Sequence, residues 1–412
     1  MPGRSADRIG INLCSCHISS ILTQSAPDTE TDMTIEYNSI PWETYRAEFP
    51  ITDKYIYMNN AAVSPMSTRV KAAIEEFSEE LLNMGTLCEE KLFERVEKVR
   101  ADAAEFMGAG RDEIAFIKNT TQGVLIAANG IRWRRGDNVV MPSNEFPANV
   151  YPWMSLGKRG VELRMVDPAG GRVTARMLAD ATDDRTRVIT VSMVQFSNGY
   201  RIDIDKLGDF CRDRGVYLHV DGIQALGCLM CNVKRHKIDF LSAGGHKWLL
   251  ASPGLGLFYC RKELLDRLDI WNPGWTGVSD PKAFIDYNMT YRDDAGRFEE
   301  GCHNFHGIYA MGATLERFRE IGMENVEHRI LSLTDRLENT LTENDCTVTS
   351  PRGNGERSGI LCFTRNGTGS SELLEKMSEA GVICSLREGS IRVSPHIYNT
   401  EGEIERLAGI IS

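Results

Sequence analysis

From Tyr55 to Cys260 the chain alternates short apolar runs with amphipathic segments, and few folds accept that rhythm. Residues 114–117, 138–141, 188–194, 216–220 and 256–260 read as strands. Between them, residues 204–214 and the stretch following Asn119-Thr-Thr-Gln-Gly123 read as helices, and 69–82 places Val70, Ile74, Phe77 and Leu81 at helical spacing. Strands separated by helices in this way form a mainly parallel sheet, because each crossover lays a helix on one of its faces. Ligands of such α/β sheets bind outside the carboxyl ends of the strands. The chemistry is to be sought there.

Beyond about residue 280 the rhythm changes to a long helical stretch, 309–341, then short strands at 359–363 and 391–393 and a final helix from Glu401. A chain of 412 residues has room for two cores. The expected organisation is a large α/β domain over 63–290, a smaller C-terminal α+β domain over 291–412, and a segment, 34–62, packed on the small domain. Residues 1–33 read as a disordered leader, or as an overlong gene start upstream of Met33. They carry Cys14, Cys16 and His17, and their apolar core, 18–22, is too short for a secretory signal.

The net charge of −11 argues against nucleic acid or an anionic membrane as the main partner, since both reward clustered lysine and arginine. No apolar run reaches the roughly 18 residues of a membrane helix. Eleven scattered cysteines, an odd number, do not form a disulfide framework and point to a reducing cytoplasm. Cys228 and Cys231 have CxxC spacing, but no second pair completes a zinc site, so no metal is expected.

The run Val216-Tyr-Leu-His-Val220 delivers Asp221 at its carboxyl end, and Ser242-Ala-Gly-Gly-His-Lys247 follows the next apolar stretch. An acid directly after a buried strand is costly unless it is paired or lies at a mouth. Taken singly, Asp221 and Lys247 are an ordinary strand-end acid and a surface lysine. A carboxylate and a lysine at successive strand ends of one sheet are what pyridoxal 5'-phosphate (PLP) requires: an amine for its aldehyde and an anion for its pyridine nitrogen.

Asp221-Gly-Ile-Gln224 and Gly244-Gly-His-Lys247 resemble the motifs of the class V aminotransferase and cysteine desulfurase family of fold-type I PLP enzymes. Tyr57-Met-Asn-Asn-Ala-Ala62 and Ile391-Arg-Val-Ser-Pro-His-Ile-Tyr-Asn-Thr400 extend the resemblance over about 51–411. It implies a large domain with a seven-stranded type of sheet, Lys247 as Schiff-base lysine and proton shuttle, and Asp221 as partner of the pyridine nitrogen. Gln224 and Asn198 are then expected near the ring oxygen, and His246 with Thr120, Thr121 and Gln122 at the phosphate. Asn60, Ala61, Asn198 and Arg392 are expected at the substrate, with Arg392 forking the α-carboxylate. Thr276, in Pro273-Gly-Trp-Thr-Gly277, resembles a residue that reaches the neighbouring subunit's cofactor, which implies a homodimer with shared active sites.

Three departures shape the functional expectation. In Asn144-Glu-Phe-Pro-Ala-Asn149, desulfurases have a ring-stacking histidine; Phe146 is expected in its place, as in kynureninase-like members, and a phenyl ring cannot transfer protons. Gly244 replaces a family serine, which weakens the phosphate cup. The connection from Arg387 to Arg392 is too short for the loop that carries the desulfurase nucleophile and contains no cysteine, while Cys384 reads as core and Cys302 borders the substrate region. A β-eliminating C–S lyase acting on a small amino acid is therefore expected, similar to isopenicillin N epimerase-like and ergothioneine-pathway lyase-like proteins. A transaminase is the alternative, then an epimerase or a cysteine desulfurase.

Overall fold

The structure, a computed structural model, describes residues 37–412. The leader expected at 1–33, with Cys14, Cys16 and His17, lies outside the described residues. A two-residue strand, β1 (Ile56–Tyr57), precedes seven strands of one sheet. These are β2 (Ile114–Ile117), β3 (Asn138–Pro142), β4 (Glu162–Val166), β5 (Thr186–Ser192), β6 (Tyr217–Asp221), β7 (Phe240–Gly244) and β8 (Gly256–Cys260). Their spatial order is β2-β8-β7-β6-β5-β3-β4. The run from β7 to β4 is parallel, and β8 lies antiparallel to both of its neighbours, β7 and β2. The fold is α/β with a mostly parallel central sheet, as expected of fold-type I.

Two separate apolar cores cover the sheet, and alternate residues of one strand enter different ones. Ile114 and Phe116 of β2 join the first, with Leu257 and Tyr259 of β8. Ala115 and Ile117 join the second, with Phe258 and Cys260. A strand with both faces buried needs no polar alternation, hence the continuous apolar runs in the sequence. Helix Thr120–Gly130 lies close against the sheet: a Cβ on Gly123 would stand 2.4 Å from the Ser242 Oγ. Only glycine leaves room for that approach.

Five further strands follow: β9 (Cys346–Val348), β10 (Leu361–Arg365), β11 (Val382–Ile383), β12 (Ser385–Arg387) and β13 (Ser390–Val393). Four of them form an antiparallel sheet in the order β12-β13-β10-β9, while β11 pairs in parallel with β1. Ile56 and Met58 of the N-terminal segment share a core with Leu361, Val393 and the final helix, Glu401–Ile411.

Several sequence expectations change in detail. The helix expected over 309–341 is two, Phe305–Ile321 and Met323–Glu343, because Gly322 between them takes φ +82°. The first buries Ile308, Met311 and Phe318 in the core of the seven-stranded sheet, while the second sends Leu333, Leu337 and Leu341 to the four-stranded one. In helix Thr68–Met84, Val70 and Phe77 are buried as the spacing predicts, but Leu81 faces solvent.

Candidate functional site

Parallel pairing sets Ser192 opposite Asp221 and Asp221 opposite Ser242, so the carboxyl ends of β5, β6 and β7 form a row. Asp221 ends β6, and Lys247 follows the end of β7. Both line one cavity of about 310 Å³. Thr120, Thr121, His246, Gln224, Ala61 and Arg392 line it as well, and Phe146 is part of its wall. Residues from six separate stretches of the sequence thus meet at the edge where the strand pattern places a ligand.

Asp221 is 1% exposed, and its Oδ1 accepts a 2.9 Å hydrogen bond from the Ile223 amide. Burial pushes its carboxyl well above the ordinary range, and buried Glu145 adds to that push. Lys247 experiences the converse: burial pulls its ammonium down, Asp221 opposes the pull, and Arg392 and Arg387 add to it. Its Nζ stands 5.5 Å from the centroid of the Phe146 ring. Phe146 meets Phe196 edge to face, with centroids 5.2 Å apart. Phe196 was missed from sequence, although it lies beside Asn198 in Gln195-Phe-Ser-Asn198.

Gln224 is fixed at both ends of its amide. It donates to the Ala61 carbonyl at 3.0 Å and accepts from the Trp248 indole at 2.8 Å. The N-terminal amides of helix Thr120–Gly130 have no intrahelical acceptors, and the helix dipole makes this end favourable to an anion. Asn119 caps it by accepting from the Gln122 amide, and the Thr120 hydroxyl accepts from the Gly244 amide at 3.0 Å. The His246 ring lies over Gly244, where an added Cβ would meet its Cε1 and Nδ1 at 3.1 Å. A side chain at position 244 would press on that imidazole.

Arg392 is 1% exposed and donates from Nη1 to the Phe196 carbonyl at 2.6 Å. Its Nη2 is buried without any protein acceptor. Arg387 lines the same cavity. β12 and β13 are joined by Glu388 and Gly389 alone, with φ of +47° and +78°. Positive φ at both central residues is the two-residue hairpin geometry that follows strand twist. The alternation of β12 and β13 around that turn is the signal that would have placed Arg387 with Arg392.

Three residues expected at the site stand elsewhere. Gln122 donates to Glu300 at 2.8 Å and accepts from the Lys118 amide at 2.7 Å, so it faces a neighbouring cleft that also holds Cys302 and His303. Asn198 is outside the cavity lining, its amide occupied by the Gly171 carbonyl at 2.7 Å and the Tyr200 amide at 3.0 Å. The Asn60 side chain is buried between the Ser394 carbonyl and the Tyr398 hydroxyl, both at 2.9 Å. Thr276, expected at the neighbouring subunit's site, donates to the Glu299 carbonyl at 2.6 Å. Among the described residues no cysteine lines the cavity. Cys228 and Cys231 are buried thiols held above their ordinary range.

The family model described as Aminotransferase class-V matches residues 56–407. The chain belongs to the class V aminotransferase family. It is a PLP-dependent enzyme. A probable cysteine desulfurase of Methanothermobacter thermautotrophicus is 29% identical over 387 residues, covering 89% of this chain and 96% of the relative. The apo structure of a cysteine desulfurase from Thermococcus onnurineus superposes with a TM-score of 0.82 at 24% identity, covering 90% of this chain and 97% of that one. A mutant of C-DES with glycine covalently linked to its PLP cofactor gives 0.83 at 21% identity, covering 89% and 98%. The donor set of this class V aminotransferase family member fits PLP: an anion-favouring helix start, a buried amine, a buried strand-end carboxylate and an aromatic wall surround one cavity.

Proposed function

We propose that the protein is a β-eliminating C–S lyase acting on a small amino acid, without a persulfide-forming cysteine. The observation that carries this reading is the two-residue turn at Glu388-Gly389. A desulfurase needs a mobile nucleophilic thiol above the cofactor, and this hairpin leaves no chain to carry one. Cys384 precedes the hairpin, and burial pushes its thiol up to about 12. A thiol held there is protonated at neutral pH and is no nucleophile.

Lys247 holds the cofactor and moves the substrate Cα proton; an amine whose pKa burial has lowered is a competent base near neutrality. PLP, when bound, supplies the electron sink for the charge left at Cα. The Asp221 carboxylate would partner the pyridine nitrogen and favour a proton on it. Arg392 would take the α-carboxylate on its free Nη2, while Thr120, Thr121 and His246 would hold the phosphate. Phe146 offers a flat apolar face and no proton.

The same reading carries the wider organisation. We assign a homodimer in which Thr276 reaches the second copy's site, a cytoplasmic location, and, in place of a limit at 290, a large domain from near 63 that takes in helix Phe305–Ile321, with the smaller domain after it. The test of the activity is product identity. A cysteine S-conjugate plus water should yield pyruvate, ammonia and the free thiol in equal amounts. A new amino acid formed from an added keto acid would make the enzyme a transaminase, racemised substrate an epimerase, and alanine a desulfurase.

A further inference from the structure

Three cationic side chains, Lys247, Arg387 and Arg392, line the cavity, against one carboxylate, Asp221. Glu145 is buried behind it, its carboxylate occupied by Ser192, Gln195 and Asn149. The helix start at Thr120 already answers one anion, and the α-carboxylate answers Arg392. Arg387 is left over.

Its placement is specific. Ser385 pairs with Arg392 and Arg387 pairs with Ser390 across the hairpin. Side chains alternate along a strand, so the two arginines lie on the same face as diagonal neighbours. Diagonal positions stand roughly 7 Å apart, a span that two acidic groups of one small molecule can bridge. Among the described residues, the one acceptor of the Arg387 guanidinium is the carbonyl of adjacent Leu386, at 2.7 Å. Among the described residues no carboxylate pairs with it. Two partly desolvated guanidinium groups side by side repel: burial lowers the Arg392 pKa, and Arg387 lowers it further. An anion bound beside each relieves that repulsion. Phe146, Phe196 and Ala148 supply an apolar wall in the same cavity.

We propose that Arg387 recognises a second acidic group, so that the preferred substrate is an amino acid whose side chain ends in an anion. On the elimination reading above, that is a cysteine S-conjugate with a carboxylate on its sulfur substituent. Elimination then breaks Cβ–S, the bonding pair leaves with sulfur, and the thiol that departs carries the carboxylate.

The test uses the PLP-loaded enzyme with S-carboxymethyl-L-cysteine and its neutral isostere, S-carbamoylmethyl-L-cysteine. Affinity is read from the change in cofactor absorbance on titration, and kcat/KM from pyruvate release. The acid should bind at least about tenfold tighter than the amide, as a charge-assisted bidentate contact allows. Arg387→Gln should remove that preference by weakening the acid alone, and Arg387→Lys should keep part of it. Arg392→Gln should weaken both ligands. An absent preference in the unaltered enzyme, an equal loss for both ligands in Arg387→Gln, or a fall in that variant's PLP affinity would each overturn the proposal. Failure of the elimination reading looks different: the binding preference persists while neither conjugate releases pyruvate.

Discussion

Arg392 reaches across from β13 to the carbonyl of Phe196, 2.6 Å from Nη1, and this bond leaves the buried Nη2 aimed away from any protein acceptor. Nε donates to the Ser385 hydroxyl at 3.3 Å, so Nη2 is the nitrogen left to a substrate carboxylate, held in a fixed orientation by the two bonds beside it. Arg392→Lys retains a charge but loses that geometry. KM for amino acids should rise by about tenfold or more, while the visible spectrum of the bound cofactor stays unchanged. Steady-state kinetics beside an absorbance scan checks both. An unchanged KM would place the α-carboxylate on Arg387.

Lys247 should be the residue that borohydride fixes to the cofactor. The unaltered protein is expected to be yellow and, after reduction, to carry PLP on the peptide containing Lys247. Lys247→Ala should bind the cofactor without that covalent mark. Mass spectrometry of the reduced protein decides the point, and a label on another lysine would sink the assignment.

For Asp221 the expected loss is in turnover. On the proposed role, replacing it with Ala would remove the anion that keeps the pyridine nitrogen protonated, an interaction that strengthens as charge develops at Cα. Asp221→Ala should keep measurable PLP binding and lower kcat by at least about a hundredfold, with KM changed much less. Near-normal kcat would remove Asp221 from the chemistry.

The sheet and the strand-end pair were legible in the sequence because both rest on local signals: apolar runs of strand length, and motifs within a few residues of a strand end. Lys247, Asp221, Gln224 and His246 all lie on such motifs and all line the cavity. Asn198 and Gln122 lie on equally local motifs but turn away, because the Gly171 carbonyl and Glu300, both distant in sequence, compete for their amides. β4 and helix Glu89–Met107 went unread: β4 is an edge strand with partly exposed residues, and its pattern, Glu-Leu-Arg-Met-Val, has no continuous apolar run. Phe196 entered the cavity through a bond made by Arg392, a contact that no spacing reports.

Behind the site runs a buried polar chain. The Thr190 hydroxyl donates to Asn149, so His219 Nδ1 donates to Thr190 at 2.8 Å, and His219 Nε2 accepts from Ser242 at 3.1 Å. Burial pulls His219 from 6.5 down to about 3, and His396 down to about 4. The unfolded chain gains a proton on each near pH 6.5 that the folded chain refuses, so stability is fully present above that pH and falls as pH drops below it. Each histidine contributes a slope approaching about 1.4 kcal/mol per pH unit between those limits. His219→Asn should lower stability at pH 7 yet flatten its decline between pH 6 and pH 4 by about one such slope. Urea midpoints at several pH values measure this, and parallel curves for the two proteins would contradict it.

The hairpin makes the strongest claim about mechanism. Because Arg387 is followed by Glu388 and Gly389 and then directly by β13, this connection carries no cysteine. Cys384 is packed against the core of the four-stranded sheet, and Cys302 is exposed in the cleft beside the cavity, its Sγ directed at the His303 carbonyl at 3.8 Å. If sulfur leaves by β-elimination, Lys247 removes the Cα proton, the Cβ–S bond breaks, and the three-carbon product is pyruvate after loss of ammonia. No thiolate takes part in that route. Cys302→Ser and Cys384→Ser should then each keep kcat within about threefold of the parent, since neither touches the reacting atoms. Cys384→Ser adds a destabilisation of about 1–2 kcal/mol from a hydroxyl placed in an apolar environment, visible as a lower urea midpoint but not in kcat. Both variants are assayed with a cysteine S-conjugate, and the three-carbon product is identified by chromatography. Alanine in place of pyruvate, together with loss of activity in either variant, would replace elimination with sulfur transfer to a cysteine.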